Sequence, residues 1–329
     1  MPLDRLAIIG AGAWGTALAQ AAALAGRQVL LVGRDATAIE AINTRHVNPT
    51  HLGELRLSER IVAGAAFDPS VDFVILAVPA QASRSVLTAM GAAAFAGKPV
   101  VLSAKGLERG TLARQSDILA ELAPAAEPFV LSGPGFAEDV AAGRPTAVTL
   151  AGDDAEKTDA LAAALAGPSF RPYAAGDRIG VELAGGLKNV YALACGAVEG
   201  AGLGASARAA LVARAFAEMT RLVVAMGGQA STLTGLAGLG DLTLTCTSTQ
   251  SRNYKYGVGL GRGESAEQIA AAGTGLAEGV LTAPAAQALV RKLGIDAPLI
   301  DAVNLLLSGR AQIHEIVAGL MSRPLKREE

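Results

Sequence analysis

A single lysine stands out because of its apolar surroundings. The stretch GGLKNVYALACGA covers residues 185–197, and Lys188 is the only charged residue between Glu182 and Glu199. A lysine on an apolar helix face can simply extend its ammonium to water. In a dry site the same group can stabilise negative charge that develops on an oxygen, and then give up a proton. An arginine would hold the charge but would not readily release its proton, so the residue type suits proton donation.

Three further segments place polar groups beside apolar runs. Lys105 follows the run PVVLSA, and the glycine-containing segment SGPGFAE spans residues 132–138. The third segment, GLGDLTLTCTSTQSRN at residues 238–253, contains two charged residues, Asp241 and Arg252. Its polar residues include Thr245 and Asn253. Ligands of open α/β sheets bind beyond the carboxyl ends of the strands, where Lys105 could bind an anion. Arg252 beside Asn253 offers several donors to a phosphate. Lys105 can equally be a surface lysine, and SGPGFAE a tight turn.

A glycine motif follows the first strand-like run directly. Gly10-Ala-Gly12-Ala13-Trp14-Gly15 separates LAIIG from a helix-like, alanine-rich segment. In such a motif the first glycine allows a tight turn, the second lets a pyrophosphate approach the backbone, and the third lets the helix pack closely on the strand. The phosphates then meet the N-terminus of the helix. The motif in this context predicts a dinucleotide site rather than a plain strand-to-helix turn.

The end of the second strand-like run bears on the choice of dinucleotide. An enzyme restricted to NAD usually has an acid there, which binds the 2′-hydroxyl of the adenosine ribose. This chain has Arg34 followed by Asp35. Because a guanidinium can pair with a 2′-phosphate, the sequence favours NADP, and NADPH as its reduced form, with NAD left open. The alternative for Arg34 is an ordinary solvated loop charge.

These residues lie on a regular alternation of strand-like and helix-like segments. Apolar runs typical of strands buried on both faces occur at 6–10, 28–33, 71–79, 99–104, 128–133 and 146–152. The alternation predicts an α/β fold with an N-terminal doubly wound, Rossmann-like parallel sheet. After SFRPYAA, residues 169–175, Ala, Leu, Arg and Glu recur at helical spacing, which predicts a C-terminal all-helical domain. We expect residues 1–178 to bind the dinucleotide and residues 179–329 to bind substrate and carry catalysis.

Composition narrows the class of protein. With 329 residues, 51% hydrophobic and 18% charged, the chain can bury a substantial core. A net charge of -2 gives no electrostatic reason to expect nucleic acid as a partner. Cys195, Cys246 and the scattered histidines have neither metal-ligand spacing nor that of a hydrolase triad, so we expect no metal site. Neither a signal peptide nor a membrane span is evident, and we expect a cytoplasmic protein with a small-molecule substrate.

Taken in order, the motifs resemble those of the NAD(P)-dependent glycerol-3-phosphate dehydrogenases of the bacterial type. GAGAWGTALA, SAKGLERG, SGPGFAEDVAAG, GGLKNVYALACG, AGLGDLTLTCTSTQSRN and AEGVLTA occur in the family's order across essentially the whole chain. The resemblance implies reversible reduction of dihydroxyacetone phosphate to sn-glycerol 3-phosphate for glycerophospholipid synthesis. It also implies a homodimer.

The resemblance assigns roles residue by residue. Lys188 matches the family's catalytic lysine, which donates or accepts the proton, and Asn189, Asp241 and Thr245 match residues around it. The implied substrate contacts are Lys105, Gly133, Gly135, Lys188, Asp241, Ser251, Arg252 and Asn253. The implied cofactor contacts are Gly10, Gly12, Ala13, Trp14, Gly15, Arg34, Lys105, Ala137, Arg252, Leu276 and Glu278.

Two departures from the family and two alternative functions bear on these assignments. Relatives commonly carry Ser or Thr at Gly135 and often Ser at Ala13, so only backbone groups can make those contacts here. Hydroxyacid dehydrogenases of the 6-phosphogluconate or hydroxyisobutyrate type usually place an asparagine four residues after their lysine. Here that position is Ala192, and the asparagine is adjacent at Asn189. A non-catalytic nicotinamide sensor would need neither a buried lysine nor a phosphate anchor.

Overall fold

The computed structural model describes residues 3–273, 275–325 and 327. Among them, eight strands form one sheet in the order β3-β2-β1-β4-β5-β6-β7-β8. The strands are β1 (Arg5–Ile9), β2 (Gln28–Val32), β3 (Ile61–Gly64), β4 (Phe73–Leu76), β5 (Pro99–Leu102), β6 (Glu127–Ser132), β7 (Thr146–Gly152) and β8 (Phe170–Ala175). Strand order reverses beside β1, between β2 and β4, and this reversal is where doubly wound sheets bind nucleotides.

Helices connect the strands and then form the rest of the chain. In the first part they are α1 (Ala13–Leu24), α2 (Ala36–Arg45), α3 (Pro49–Leu52), α4 (Ser83–Met90), α5 (Gln115–Leu122), α6 (Ala137–Ala141) and α7 (Ala155–Leu165). The remaining helices are α8 (Arg178–Gly200), α9 (Gly204–Ala225), α10 (Ala230–Leu233), α11 (Asp241–Thr247), α12 (Arg252–Gly261), α13 (Ala266–Ala271), α14 (Glu278–Leu293), α15 (Pro298–Leu307) and α16 (Ile313–Met321). Across the described residues, no helix combines the length and the apolarity needed to span a bilayer.

The sheet confirms the predicted fold class and corrects it in two details. Every predicted strand run overlaps an observed strand, and β1 to β6 are parallel. However, β7 runs antiparallel to β6, and β8 then runs parallel to β7. The β6–β7 connection contains only the short helix α6, and a parallel return needs a full crossover. Strand β3 was not predicted, because its four residues lie between charged and glycine-rich neighbours.

Burial of both sheet faces explains why the strands are apolar throughout. In β1, Leu6 and Ile8 belong to one buried cluster, whereas Ala7 and Ile9 belong to another. Successive residues of a strand point to opposite faces, so these clusters lie on the two sides of the sheet. The carboxyl ends of the parallel strands β1 to β6 are thereby held at one rigid edge, from which their connecting loops project.

Helix α8 is the long central helix of the second part. Asp177 caps its N-terminus by accepting a hydrogen bond from Gly180 N at 2.8 Å. Its glycines allow close backbone packing, since a Cβ at Gly196 would overlap Tyr254 O of α12. The change from strands to helices falls between Ala175 and Arg178. The division into domains at residue 178 stays a prediction.

Candidate active site

The glycine loop has the geometry that a bound pyrophosphate requires. Gly10 has φ of 115°, a backbone conformation that favours glycine, and its N donates to Val32 O of β2 at 2.9 Å. A Cβ at Gly15 would overlap Gly10 O, so the helix can approach the strand only without a side chain there. A Cβ at Gly12 would meet nothing within 4 Å, and the space beside it is open to a ligand.

The ring of Trp14 connects the glycine loop with the other polar segments. Gly12 caps α1, so Ala13 and Trp14 are its first residues. Lys105 Nζ lies 5.8 Å from the centroid of the indole, within range of a cation–π interaction. A Cβ at Gly135 would lie 3.7 Å from Trp14 Cη2. The loops after β1, β5 and β6 therefore converge at one place.

Arg34 lies on the surface, near the point where these loops converge. Its side chain is exposed directly after β2, and a Cβ at the preceding Gly33 would lie only 2.7 Å from Ala11 Cβ of the glycine loop. Asp35 is committed elsewhere, because its carboxylate accepts from Thr37 N at 3.0 Å and from Ala38 N at 3.3 Å as the cap of α2. A guanidinium, rather than a free carboxylate, is thus available at the position that selects the dinucleotide.

One buried carboxylate holds two lysines at the centre of the site. Lys188 Nζ donates to Asp241 Oδ1 at 2.5 Å and to Thr245 Oγ1 at 2.9 Å. Lys105 Nζ donates to the other carboxylate oxygen, Oδ2, at 2.8 Å and to Gly133 O at 3.3 Å. The sequence placed these residues in separate segments, and the fold brings them into direct contact.

Burial and the neighbouring charges set the protonation of this cluster. Burial lowers the pKa of Lys188 to about 8; Asp241 opposes that change, and Lys105 adds to it. Burial alone would raise the pKa of Asp241, but the two lysines outweigh it and hold the carboxyl below its usual range. Asp241 is therefore ionised, and the pKa of Lys188 lies much closer to neutral than that of a free lysine.

The fold positions Asp241 and Thr245 by an unusual local structure. A π-helical segment, Leu236–Gly240, leads directly into α11, of which Asp241 is the first residue. Such segments are rare and occur frequently at functional sites. Asp241 and Thr245 are four residues apart on α11 and so share one face, which packs against α8 and Lys188.

The start of α12 brings the predicted phosphate-binding residues beside α8. Asn253 Nδ2 donates to Asn189 Oδ1 at 3.0 Å, and Asn253 Oδ1 accepts from Gly279 N of α14 at 2.8 Å. Ser251 caps α12 by accepting from Tyr254 N at 3.2 Å. Arg252 is exposed at the same helix N-terminus. Asn189 contacts Asn253 rather than Lys188, so it links α8 to the N-terminus of α12.

The last predicted residues lie at the start of α14. Glu278 Oε1 accepts from Ala80 N, in the loop after β4, at 3.3 Å. Burial raises the pKa of Glu278, against the opposing effect of Ala80 N and of Arg252. Leu276 is 46% exposed and lies outside the hydrogen-bonded cluster. Ala137 is the first residue of α6, after the loop that holds Gly133 and Gly135.

Sequence reasoning missed the contribution of the loop after β4. Besides the contact of Ala80 with Glu278, a Cβ at Gly10 would lie 2.6 Å from Ala77 O, so this loop forms a wall of the glycine turn. The predicted doubly wound sheet was the available signal, because β4 is the neighbour of β1 at the point where the strand order reverses. In the described part of the chain, no group of three or more His, Cys, Asp or Glu residues could hold a metal ion. Cys195 and Cys246 are buried free thiols.

Comparison with known proteins decides the family. The family model described as NAD-dependent glycerol-3-phosphate dehydrogenase N-terminus matches residues 5–158. The one described as NAD-dependent glycerol-3-phosphate dehydrogenase C-terminus matches residues 177–318. The chain belongs to the NAD-dependent glycerol-3-phosphate dehydrogenases.

Individual relatives agree along the full length of this dehydrogenase. It is 49% identical over 330 residues to the glycerol-3-phosphate dehydrogenase (NAD(P)+) of Caulobacter vibrioides, covering 100% of both chains. It is 48% identical to that of Parvibaculum lavamentivorans, covering 98% of each. The crystal structure of glycerol-3-phosphate dehydrogenase from Coxiella burnetii matches with a TM-score of 0.92 and 37% identity, over 98% of this chain and 100% of that one. The predicted family is confirmed, and with it an NAD(P)-dependent oxidoreductase that acts on a CH-OH group.

The residues of the dehydrogenase fit its dinucleotide cofactor. The glycine loop offers the open approach at Gly12 and the N-terminus of α1, which together suit a pyrophosphate. The Trp14 ring lies 5.8 Å from Lys105 Nζ, and Glu278 is near enough for its charge to interact with that of Lys105. Family membership decides against the hydroxyacid dehydrogenase and against the non-catalytic sensor.

Proposed function

We propose that this dehydrogenase reversibly reduces dihydroxyacetone phosphate to sn-glycerol 3-phosphate, with Lys188 as the proton donor and acceptor. The supporting observation is the buried ammonium held by Asp241 and Thr245, with a pKa of about 8, beside the dinucleotide loop. The nicotinamide, when bound, supplies or takes up the hydride. The protein must then manage the proton and the charge on the substrate oxygen.

The hydrogen bonds of Lys188 suit this task. An ammonium has three N–H donors, and two of them are taken by Asp241 Oδ1 and Thr245 Oγ1. The third remains for the carbonyl oxygen of the substrate. When Lys188 gives that proton to the developing alkoxide, the neutral amine is still held by the same two partners. A pKa near the working pH lets the residue serve as acid in reduction and as base in oxidation.

The phosphate of the substrate binds, in our proposal, at the N-terminus of α12. Ser251, Arg252 and Asn253 are the cap and first two residues of this helix, where free backbone N–H groups favour anions. Arg252 adds a guanidinium that can bind phosphate in a bidentate manner. Lys105 also faces this substrate, and its contact with Gly133 O fixes the loop that would border it.

We also propose finer properties that follow from Arg34, from composition and from the family resemblance. NADPH is the favoured cofactor, since Arg34 is free for a 2′-phosphate whereas Asp35 caps α2. The enzyme works in the cytoplasm as a homodimer and supplies glycerophospholipid synthesis. Light scattering on the purified protein should give twice the chain mass of 33.0 kDa. A monomer at micromolar concentration would contradict the dimer.

The decisive test of the proposed reaction is the Lys188→Ala variant. NADPH oxidation with dihydroxyacetone phosphate should lose at least about 100-fold in kcat, the usual range for an acid–base residue. The Kd for NADPH should stay within about twofold, because the lysine is assigned to the substrate oxygen. Lys292→Ala, at an exposed lysine near the end of α14, is the matched control and should keep wild-type kcat. A Lys188→Ala variant that kept more than about a tenth of wild-type kcat would exclude this role.

A further inference from the structure

A buried asparagine, Asn48, contacts the glycine loop. Asn48 lies between α2 and α3 and is 0% exposed. Its Nδ2 donates to Ala11 O at 3.0 Å and to Thr16 Oγ1 at 2.8 Å. Ala11 is the residue between the first two glycines of the motif. Asn48 is therefore bonded to the backbone of the loop itself.

Planarity of the peptide bond makes this contact directional. The carbonyl of Ala11 and the N–H of Gly12 belong to one trans peptide unit and point in opposite directions. Because Asn48 binds Ala11 O, the N–H of Gly12 is turned away from Asn48. That N–H bonds to no other group in the described part of the chain, and a Cβ at Gly12 would meet nothing within 4 Å. Asn48 thus orients a free amide donor toward open space.

Burial of Asn48 costs free energy that a residue required only for packing would avoid. Asn48 Oδ1 is buried without a hydrogen-bond partner among the described residues. An unpaired buried amide oxygen is unfavourable, and an apolar residue would avoid it. The amide nitrogen, which binds both Ala11 O and the hydroxyl of Thr16, is the part of the side chain with a defined use. The hydrogen bonds that Nδ2 donates, and not the volume of the side chain, explain why an asparagine occupies position 48.

Helix α2 connects this asparagine to the other end of the predicted cofactor site. The helix follows the Asp35 cap, directly after Arg34, and ends at Arg45, where the cap residue His46 has φ of 54°. Asn48 follows two residues later. One short segment therefore carries both the candidate 2′-phosphate residue and the residue that bonds to the glycine loop.

We propose that Asn48 is a positioning residue for the cofactor: it fixes the Ala11–Gly12 peptide so that the N–H of Gly12 faces the pyrophosphate. The inference rests on the dinucleotide site assigned to this loop and is independent of the role of Lys188. Asn48 itself touches neither the pyrophosphate nor the substrate. Its loss should weaken only ligands that contain the pyrophosphate.

The test is calorimetric titration of two cofactor fragments into Asn48→Ala. 2′-Phospho-ADP-ribose contains the pyrophosphate, and its Kd should rise about tenfold, equivalent to about 1.4 kcal/mol. Adenosine 2′-monophosphate lacks the pyrophosphate, and its Kd should stay within about twofold. The kcat at saturating NADPH and dihydroxyacetone phosphate should also stay within about twofold, with the loss confined to KM for NADPH.

An asparagine on the preceding helix, α2, provides the control. Asn43 lies in α2 and makes an equivalent backbone contact, donating from Nδ2 to Ala63 O at 2.9 Å, but does not touch the glycine loop. Asn43→Ala should leave the Kd of both fragments unchanged. Asn48→Asp replaces the donor with a carboxylate of the same shape, and it serves as the test if Asn48→Ala does not fold. It should weaken 2′-phospho-ADP-ribose at least as much.

Two results would overturn the proposal. Wild-type affinity of the folded variant for 2′-phospho-ADP-ribose would show that the Gly12 amide does not depend on Asn48. An equal rise in the Kd of both fragments would show a general loosening of the sheet instead of an effect on the glycine loop. If Lys188 were not the proton donor, Lys188→Ala would keep its kcat while both fragment titrations of Asn48→Ala still gave the expected result, so the two failures are distinguishable.

Discussion

The strongest test of the lysine cluster is the removal of one charge by Asp241→Asn. The substitution keeps the size of the side chain and one oxygen acceptor, but it removes the anion that lies between Lys105 and Lys188. Asp241 opposes the effect of burial on Lys188, so its neutralisation should lower the pKa of Lys188 below the wild-type value of about 8. Lys105 would then act on Lys188 with no intervening anion, in the same direction.

The size of the effect follows from the contact distance. An opposite charge within hydrogen-bond distance commonly changes a pKa by about 1 to 3 pH units, and Lys188 Nζ lies 2.5 Å from the carboxylate. A decrease of about 2 pH units would leave only a few per cent of Lys188 protonated at pH 7.5, against about three quarters in the wild type. Reduction needs the protonated form, so kcat at pH 7.5 should fall about 20- to 30-fold.

The assay is the pH profile of kcat in both directions. Wild-type reduction should decline as pH rises through about 8, whereas oxidation of sn-glycerol 3-phosphate should increase over the same range. In Asp241→Asn both midpoints should move to lower pH, and part of the lost reductase activity should return near pH 5.5. Asp159→Asn, on the surface of α7, is the control with an unchanged profile. A uniform loss of kcat with unmoved midpoints would refute the electrostatic argument.

The sequence predicted the parts of this site whose function depends on local order. The glycine motif and Arg34 are recognisable within a short stretch, because strand, turn and helix follow one another there. Lys188 is recognisable as a lone charge in an apolar run. The antiparallel pairing of β7 with β6 was not predicted, since apolar runs indicate a strand but not its direction. The short strand β3 lacks any such run.

The balance of charges around Lys188 could not be obtained from the sequence. The chain supplies Lys105, Asp241 and Arg252 from distant segments, but the pKa of Lys188 depends on its burial and on the distances to these charges. In the structure Asp241 contacts both lysines, whereas Arg252 is exposed at the start of α12 and acts on Glu278 instead. Asn48 was equally invisible, because its contact with Ala11 spans 37 positions of the chain and no motif marks it.

Three substitutions test the remaining parts of the site. Arg252→Ala should raise KM for dihydroxyacetone phosphate by at least about tenfold, from the loss of charge-assisted hydrogen bonds, and equal losses with unphosphorylated dihydroxyacetone would argue against a phosphate anchor. Arg34→Ala should lower kcat/KM for NADPH much more than for NADH; an unchanged ratio would remove Arg34 from cofactor selection. Gly135→Ser restores the hydroxyl that relatives commonly carry. Its Cβ would lie 3.2 Å from Thr146 Cγ2, so a shift of a few tenths of an ångström would admit it. One added hydrogen bond should then lower KM for dihydroxyacetone phosphate about threefold to tenfold. A raised KM would mean that Thr146 and the Trp14 ring do not move enough to make room for the serine side chain.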